Sequence, residues 1–89
     1  MKTGIAILVV SESSLQLSLT IAKHLPGSNL YSSFESIFTD TIPSIATFLK
    51  EHFNRFEAFV FVGSLGICVR SIAPFITDKH TDPAIVNID

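Results

Sequence analysis

The chain is short of charge. Of its 89 residues only 16% are Asp, Glu, Lys or Arg, while 47% are hydrophobic, against roughly 25% charged in an average soluble domain. A domain this small has much surface for its volume and should be richer in charge than average, not poorer. Part of its surface is therefore expected to lie against something else: further polypeptide, an oligomer partner or a large apolar ligand. A positive excess is also missing. Six scattered Lys and Arg residues and a formal net charge of −2 leave no basic stripe and exclude a nucleic-acid footprint. Long apolar runs are absent too. The longest uncharged stretch, Ala58–Val69, is too short to span a bilayer and is broken by Gly63, Ser64 and Gly66. Met1-Lys2 ahead of Ile5–Val10 leads into Ser11-Glu12-Ser13 with no small-residue cleavage site, so it reads as a first strand and not a signal peptide. No membrane partner and a cytoplasmic location are expected. The single cysteine, Cys68, excludes an internal disulfide framework and a thiolate metal cluster. No two His, Asp or Glu residues show metal-ligand spacing on one predicted element, so no protein-bound metal is expected.

What the chain does have is a strand–turn–helix unit from Glu57 to Phe75. Ala58–Val62 is a run of β-branched and aromatic residues, as in a strand buried on both faces of a parallel sheet. Gly63-Ser64-Leu65-Gly66 follows at once. Leu65, Cys68, Val69 and Ile72 then fall at i, i+3, i+4 and i+7, which predicts one buried helix face. Pro74 ends that helix. Such a unit turns the free N–H groups of the helix's first turn toward the space above the strand's end, where an anion can bind.

The rest of the chain alternates in the same way. Ile5–Val10 predicts a second doubly buried strand. Ser13 or Ser14 should cap a helix reaching about Leu25, with Leu15, Leu19 and Ala22 inward. Pro26-Gly27 ends it, and Asn29–Ser32 reads as a short strand. Residues 33–40 read as a loop or single turn. Asp40 or Thr41 is predicted to cap the next helix, with Pro43 in its first turn and a stripe of Ile42, Ile45, Ala46, Leu49 and Phe53. Ala84–Ile88 reads as the last strand. The order βαβαβαβ implies a three-layer, doubly wound α/β domain: a four-stranded parallel sheet of order 2-1-3-4 with helices on both faces. Its switch point lies between strands one and three, and the turns meeting there are Ser11–Ser14 and Gly63–Gly66.

Several residues carry candidate chemistry. Gly63-Ser64-Leu65-Gly66 matches neither a dinucleotide fingerprint nor a phosphate loop. Its glycines either permit the turn and close helix–strand packing or hold a ligand anion. Arg70, one turn after Gly66, either reaches back toward a carboxylate held there or pairs at the surface with Asp78 or Asp82. Ser11 and Ser13 either bind an anion or cap the helix. The cluster Asp78-Lys79-His80-Thr81-Asp82-Pro83 places a His between carboxylates, a general-base pattern, but at the amino-end edge of the sheet. His24 and His52 sit in last helical turns, where positive charge suits the helix dipole. Cys68 belongs to the packed helix face. The substrate-binding candidates are thus Ser11, Ser13, Gly63, Ser64, Gly66 and Arg70, with no catalytic base identified.

The stretch Phe61–Pro74, followed by Asp78-Lys79 and Asp82-Pro83-Ala84-Ile85-Val86, resembles the N-terminal domain of the CbiG family. Gly66, Ile67, Val69, Arg70, Ile72, Ala73, Pro74, Lys79, Asp82, Pro83 and Ala84 fit the family's pattern, and the first half is similar in pattern though less specific in residues. The resemblance implies a cobalt-precorrin-5A hydrolase of cobalamin biosynthesis, which opens a δ-lactone on the cobalt-corrinoid macrocycle with loss of acetaldehyde. Its partners would be that corrinoid and other domains of the same polypeptide, in some members a tetrapyrrole methyltransferase. No cofactor is implied, because the substrate carries the cobalt. Residues 1–89 would be one domain of a larger protein, contributing carboxylate binding and inactive alone. A reading from another class is a non-catalytic docking domain. Exposed apolar residues rimming the Gly63–Gly66 crevice favour the ligand; a cluster elsewhere favours docking.

Overall fold

A computed structural model describes residues 2–78 and 80–89; Lys79, one of the residues carrying the resemblance, lies outside them. Five parallel strands form one sheet: β1 (Ile5–Val9), β2 (Ser28–Ser32), β3 (Asp40–Thr41), β4 (Ala58–Val62) and β5 (Ala84–Ile88), in the order β3-β2-β1-β4-β5. The helices are α1 (Leu15–Lys23), α2 (Ile45–His52) and α3 (Leu65–Ile72), with short 3-10 turns at Glu12–Ser14 and Ala73–Phe75.

Alternation along β1 and β4 builds the three layers. Ala6, Leu8, Phe59 and Phe61 point to one core, with Phe48, Leu49 and Phe53 of the α2 region and Cys68 and Ile72 of α3. Ile7, Val60 and Val62 point to the other, with Ile21 and Ala22 of α1 and Leu25 just beyond it. Both central strands are buried from their second residue on, which explains why they read as unbroken apolar runs. The first core is aromatic: Phe53 stacks on Phe59 with centroids 5.8 Å apart, and Phe48 packs 4.5 Å from Tyr31. Burial and the nearby Asp40 carboxylate push the Tyr31 phenol pKa up.

The predicted four-stranded sheet is corrected to five. The four long strands keep the relative order foreseen, and a two-residue strand extends the β2 edge. Asp40 and Thr41, read as a helix cap, instead lie extended beside Tyr31 and Ser32. The cause is the buried Ser32. Its hydroxyl bonds the Phe34 carbonyl and the Thr39 hydroxyl at 2.6 Å each, and its carbonyl accepts from the Ile42 amide at 2.8 Å. Those bonds hold residues 34–42 against β2. The cap of α2 is Ser44, whose Oγ accepts from the Thr47 N–H at 3.0 Å. In α1 the N-cap residue is Ser14, as foreseen, but without a side-chain cap bond; the helix ends at Lys23, and Ser18 is fully buried with its hydroxyl returned to the Ser14 carbonyl at 2.7 Å.

Candidate functional site

β1 lies between β2 and β4, so the chain leaves its carboxyl end toward one side and that of β4 toward the other. This is the switch point of a doubly wound sheet. The two turns leave paired positions, because Val9 is in register with Val62 and the Val10 amide donates to the Val62 carbonyl at 3.2 Å.

The first turn gathers three hydroxyls. Ser11 Oγ lies 2.9 Å from Ser13 Oγ and 3.4 Å from Ser14 Oγ. Ser11 and Ser13 are exposed, and Ser11 and Ser14 make no side-chain cap bond.

The second turn divides its duties. Gly63 has φ +157°, and an added Cβ would stand 2.7 Å from Val10 Cβ. Its N–H donates to the Ile88 carbonyl at 2.9 Å. Gly63 is thus committed to packing β1, β4 and β5 together, and its amide is not open to a ligand. Ser64 caps α3, its Oγ accepting from the Ile67 N–H at 3.3 Å and its carbonyl from the Cys68 N–H at 3.2 Å. The Leu65 and Gly66 amides, the remaining donors of the first turn, have no bond among the described residues. Among the described residues Gly66 meets one neighbour. Arg70 Nη1 lies 3.3 Å from where a Gly66 Cβ would stand, so the guanidinium is folded back over the open backbone at the start of α3, as helical side-chain direction favours.

The surface alternative for Arg70 does not form. Asp82 accepts from the Thr77 and Asp78 amides at 2.7 and 3.0 Å and from the Thr77 hydroxyl at 3.0 Å, while Asp78 Oδ1 accepts from the His80 amide at 2.8 Å. The carboxylates of Asp78 and Asp82 are thus engaged by neighbouring backbone and hydroxyl groups. Slight burial works to raise the Asp82 pKa, but those hydrogen bonds and the charge of Lys2 outweigh it and hold the carboxyl below its ordinary value. His24 Nδ1 lies 3.0 Å from the Thr20 carbonyl, and His52 packs on Phe48 with centroids 4.7 Å apart. The Cys68 thiol is 2% exposed, and burial pushes its pKa up. No group of three His, Cys, Asp or Glu among the described residues could hold a metal ion. No helix among them is long and apolar enough to cross a membrane.

The predicted buried stripe of α3 is half right. Cys68 and Ile72 are buried, but Leu65 is 59% and Val69 52% exposed, because a helix lying on a sheet turns only part of a wide stripe inward. Sequence reading also missed an apolar groove of about 410 Å³, walled by Ile5, Ile21, Leu25, Ala58, Val60, Val86 and Ile88 with His24. It lies beside α1 over β4 and β5, not at the serine and glycine turns. The signal available for it was the low charge of the chain.

Fold and turns together define a doubly wound α/β domain with polar, open loops at its switch point. Residues 47–89 match the family described as Cobalamin synthesis G N-terminal. A cobalt-precorrin-5A hydrolase of Salmonella typhimurium is 45% identical over 40 residues, covering 45% of this chain and 11% of that protein. Another, from Priestia megaterium, is 44% identical over 46 residues, covering 52% of this chain and 12% of that protein. In structure, a cobalamin biosynthesis protein G homologue from Sulfolobus solfataricus overlays 97% of this chain and 25% of its own, with TM-score 0.72 and 25% identity. Over its second half, residues 47–89, the chain is similar to the N-terminal domain of the CbiG family. The matched stretches span about a ninth of the length of those curated relatives.

Proposed function

We propose that this domain binds side-chain carboxylates of a cobalt-corrinoid intermediate for a hydrolase that opens the macrocycle's δ-lactone and releases acetaldehyde. The observation that carries the reading is the Arg70 guanidinium over Gly66, with the Leu65 and Gly66 amides beside it. Helix N–H groups and a guanidinium both favour an anion, and glycine leaves room for one to approach the backbone. Ser64 sets the helix start; Ser11 and Ser13 add hydroxyls from the neighbouring turn. Gly63 contributes by holding the two turns together and not by contact.

The test is Arg70→Ala in a polypeptide that carries the whole hydrolase. A hydrogen bond to a charged group contributes about 1.5–3 kcal/mol, so corrinoid affinity should fall roughly tenfold or more. The melting temperature should hold, since Arg70 is exposed and Cys68 and Ile72 anchor the helix. Gly66→Asp should bind more weakly still, because it puts a negative charge where the carboxylate sits. Normal binding with early melting in Arg70→Ala would make Arg70 a structural residue.

The apolar groove beside α1 supports a second reading, a domain that docks on its neighbours. Its walls carry no charge apart from His24 at the rim, which suits a protein surface and not a polycarboxylate. The two readings use opposite parts of the molecule and are separable by substitution.

A further inference from the structure

Two apolar side chains on α3 stand in water beside Arg70, which has no carboxylate partner among the described residues. At about 100° per residue, the buried pair Cys68 and Ile72 is followed around the helix by Leu65 and Val69, and then by Gly66 and Arg70. Leu65 is 59% and Val69 52% exposed. The surface of α3 therefore changes from core, to an uncovered apolar shelf one turn long, to an open glycine under a guanidinium. Single exposed leucines are ordinary; an apolar pair at i and i+4, bordered by a guanidinium folded over an open glycine, has the pattern of a surface that takes a ligand of mixed character.

We infer that Leu65 and Val69 form the shelf on which an apolar face of the ligand rests while a carboxylate at its rim meets Arg70 and the Gly66 backbone. The occupant is a flat, carboxylate-bearing macrocycle, and the charge of Arg70 is what selects it over a purely apolar partner. This rests on the carboxylate-binding reading above and adds the residues that hold the apolar body of the same ligand. Apolar contact and charge contact then divide between the two rows of one helix: Leu65 and Val69 set affinity for any corrinoid ring, and Arg70 sets preference for the carboxylated one.

The experiment titrates the 89-residue chain, followed by corrinoid absorbance, with two probes: a cobalt corrinoid with free side-chain carboxylates and its fully amidated counterpart. The doubly substituted Leu65→Ser, Val69→Ser chain should bind both probes about tenfold more weakly, with its melting temperature within a few degrees of the parent. Arg70→Ala should weaken the carboxylated probe and leave the amidated one unchanged. Val69→Leu, which keeps the shelf apolar, should retain wild-type affinity and checks that the serine effect is not a folding defect. Binding of both probes by the serine variant as by the parent would overturn the shelf while leaving the carboxylate reading standing. Failure of the parent chain to bind either probe would overturn both. Concentration-dependent dimerisation abolished by the serine substitutions would assign the shelf to a second copy and overturn the inference.

Discussion

At the scale of single residues, the two glycines of one turn do unlike work. Gly63 faces Val10 at 2.7 Å from a would-be Cβ, and its φ is positive. Val10 is β-branched and cannot swing aside without disturbing the start of the loop after β1. Gly63→Ala should therefore destabilise the domain by about 1–3 kcal/mol, as overpacking does, lowering the melting temperature by about 4–8 °C per kcal/mol in a domain this size. Gly66 meets only the far end of the Arg70 side chain, which can move. Gly66→Ala should be neutral or stabilising, since glycine in a helix costs up to about 1 kcal/mol relative to alanine, while displacing the guanidinium. Thermal melts of the two variants side by side check this. An equal loss in both would mean that Gly66, too, is a packing residue.

At the scale of elements, the long strands were legible and the ends of helices were not. Ile5–Val9 and Ala58–Val62 could be read because both faces are buried, so every residue had to be apolar. α2 and β3 were misread at their boundary because Asp40, Thr41 and Ser44 are all plausible caps, and the bonds that decide among them radiate from Ser32, distant in sequence. The α3 stripe was legible as a period but not as a depth: nothing local tells which half of Leu65, Cys68, Val69 and Ile72 the sheet covers. In the candidate site, helix geometry offered Arg70 over Gly66 as one of two alternatives, whereas the engagement of the Gly63 amide by Ile88 depends on a strand brought in from the chain's far end. The loop before β5 gives an element-scale prediction. Asp82 holds its turn through Thr77 and Asp78 with a carboxyl pKa below the ordinary value. A carboxyl lower in the folded than in the unfolded chain favours folding above its unfolded pKa of about 4, and that contribution is lost as pH falls through the folded value. Asp82→Asn should melt earlier than the parent at about pH 7. The gap between the two should narrow as the pH drops below about 4. A gap independent of pH would show that the turn is held by shape and not by charge.

At the scale of the whole molecule, the shortage of charge has two structural counterparts. One is the α3 shelf at the crevice. The other is the groove beside α1, where Val86 is 46% exposed over the half of the sheet that α1 does not reach. Parallel sheets are ordinarily covered on both faces, and here α2 and α3 share one face while α1 stands alone on the other. The domain thus divides open polar turns at one end from a bare apolar flank on another. Catalysis should follow the same division. Lactone opening needs an activated water and a stabilised oxyanion. The switch-point turns offer hydroxyls, two amides and a guanidinium, which can bind and orient an anion. Among the described residues the carboxylate these turns do carry, Glu12, is exposed and hydrogen-bonded to none of the serines, so no hydroxyl is paired with a base; elsewhere Cys68 is buried with a raised pKa, His24 is tied to its own helix, His52 packs among aromatic rings, and Asp82 is bound by neighbouring groups. The 89-residue chain should therefore bind cobalt-precorrin-5A without releasing acetaldehyde, and a coupled assay for acetaldehyde over hours at saturating chain is the measurement. Acetaldehyde released at a rate that vanishes with Ser11→Ala or Ser13→Ala would place the chemistry in the serine turn and make this domain the catalytic one.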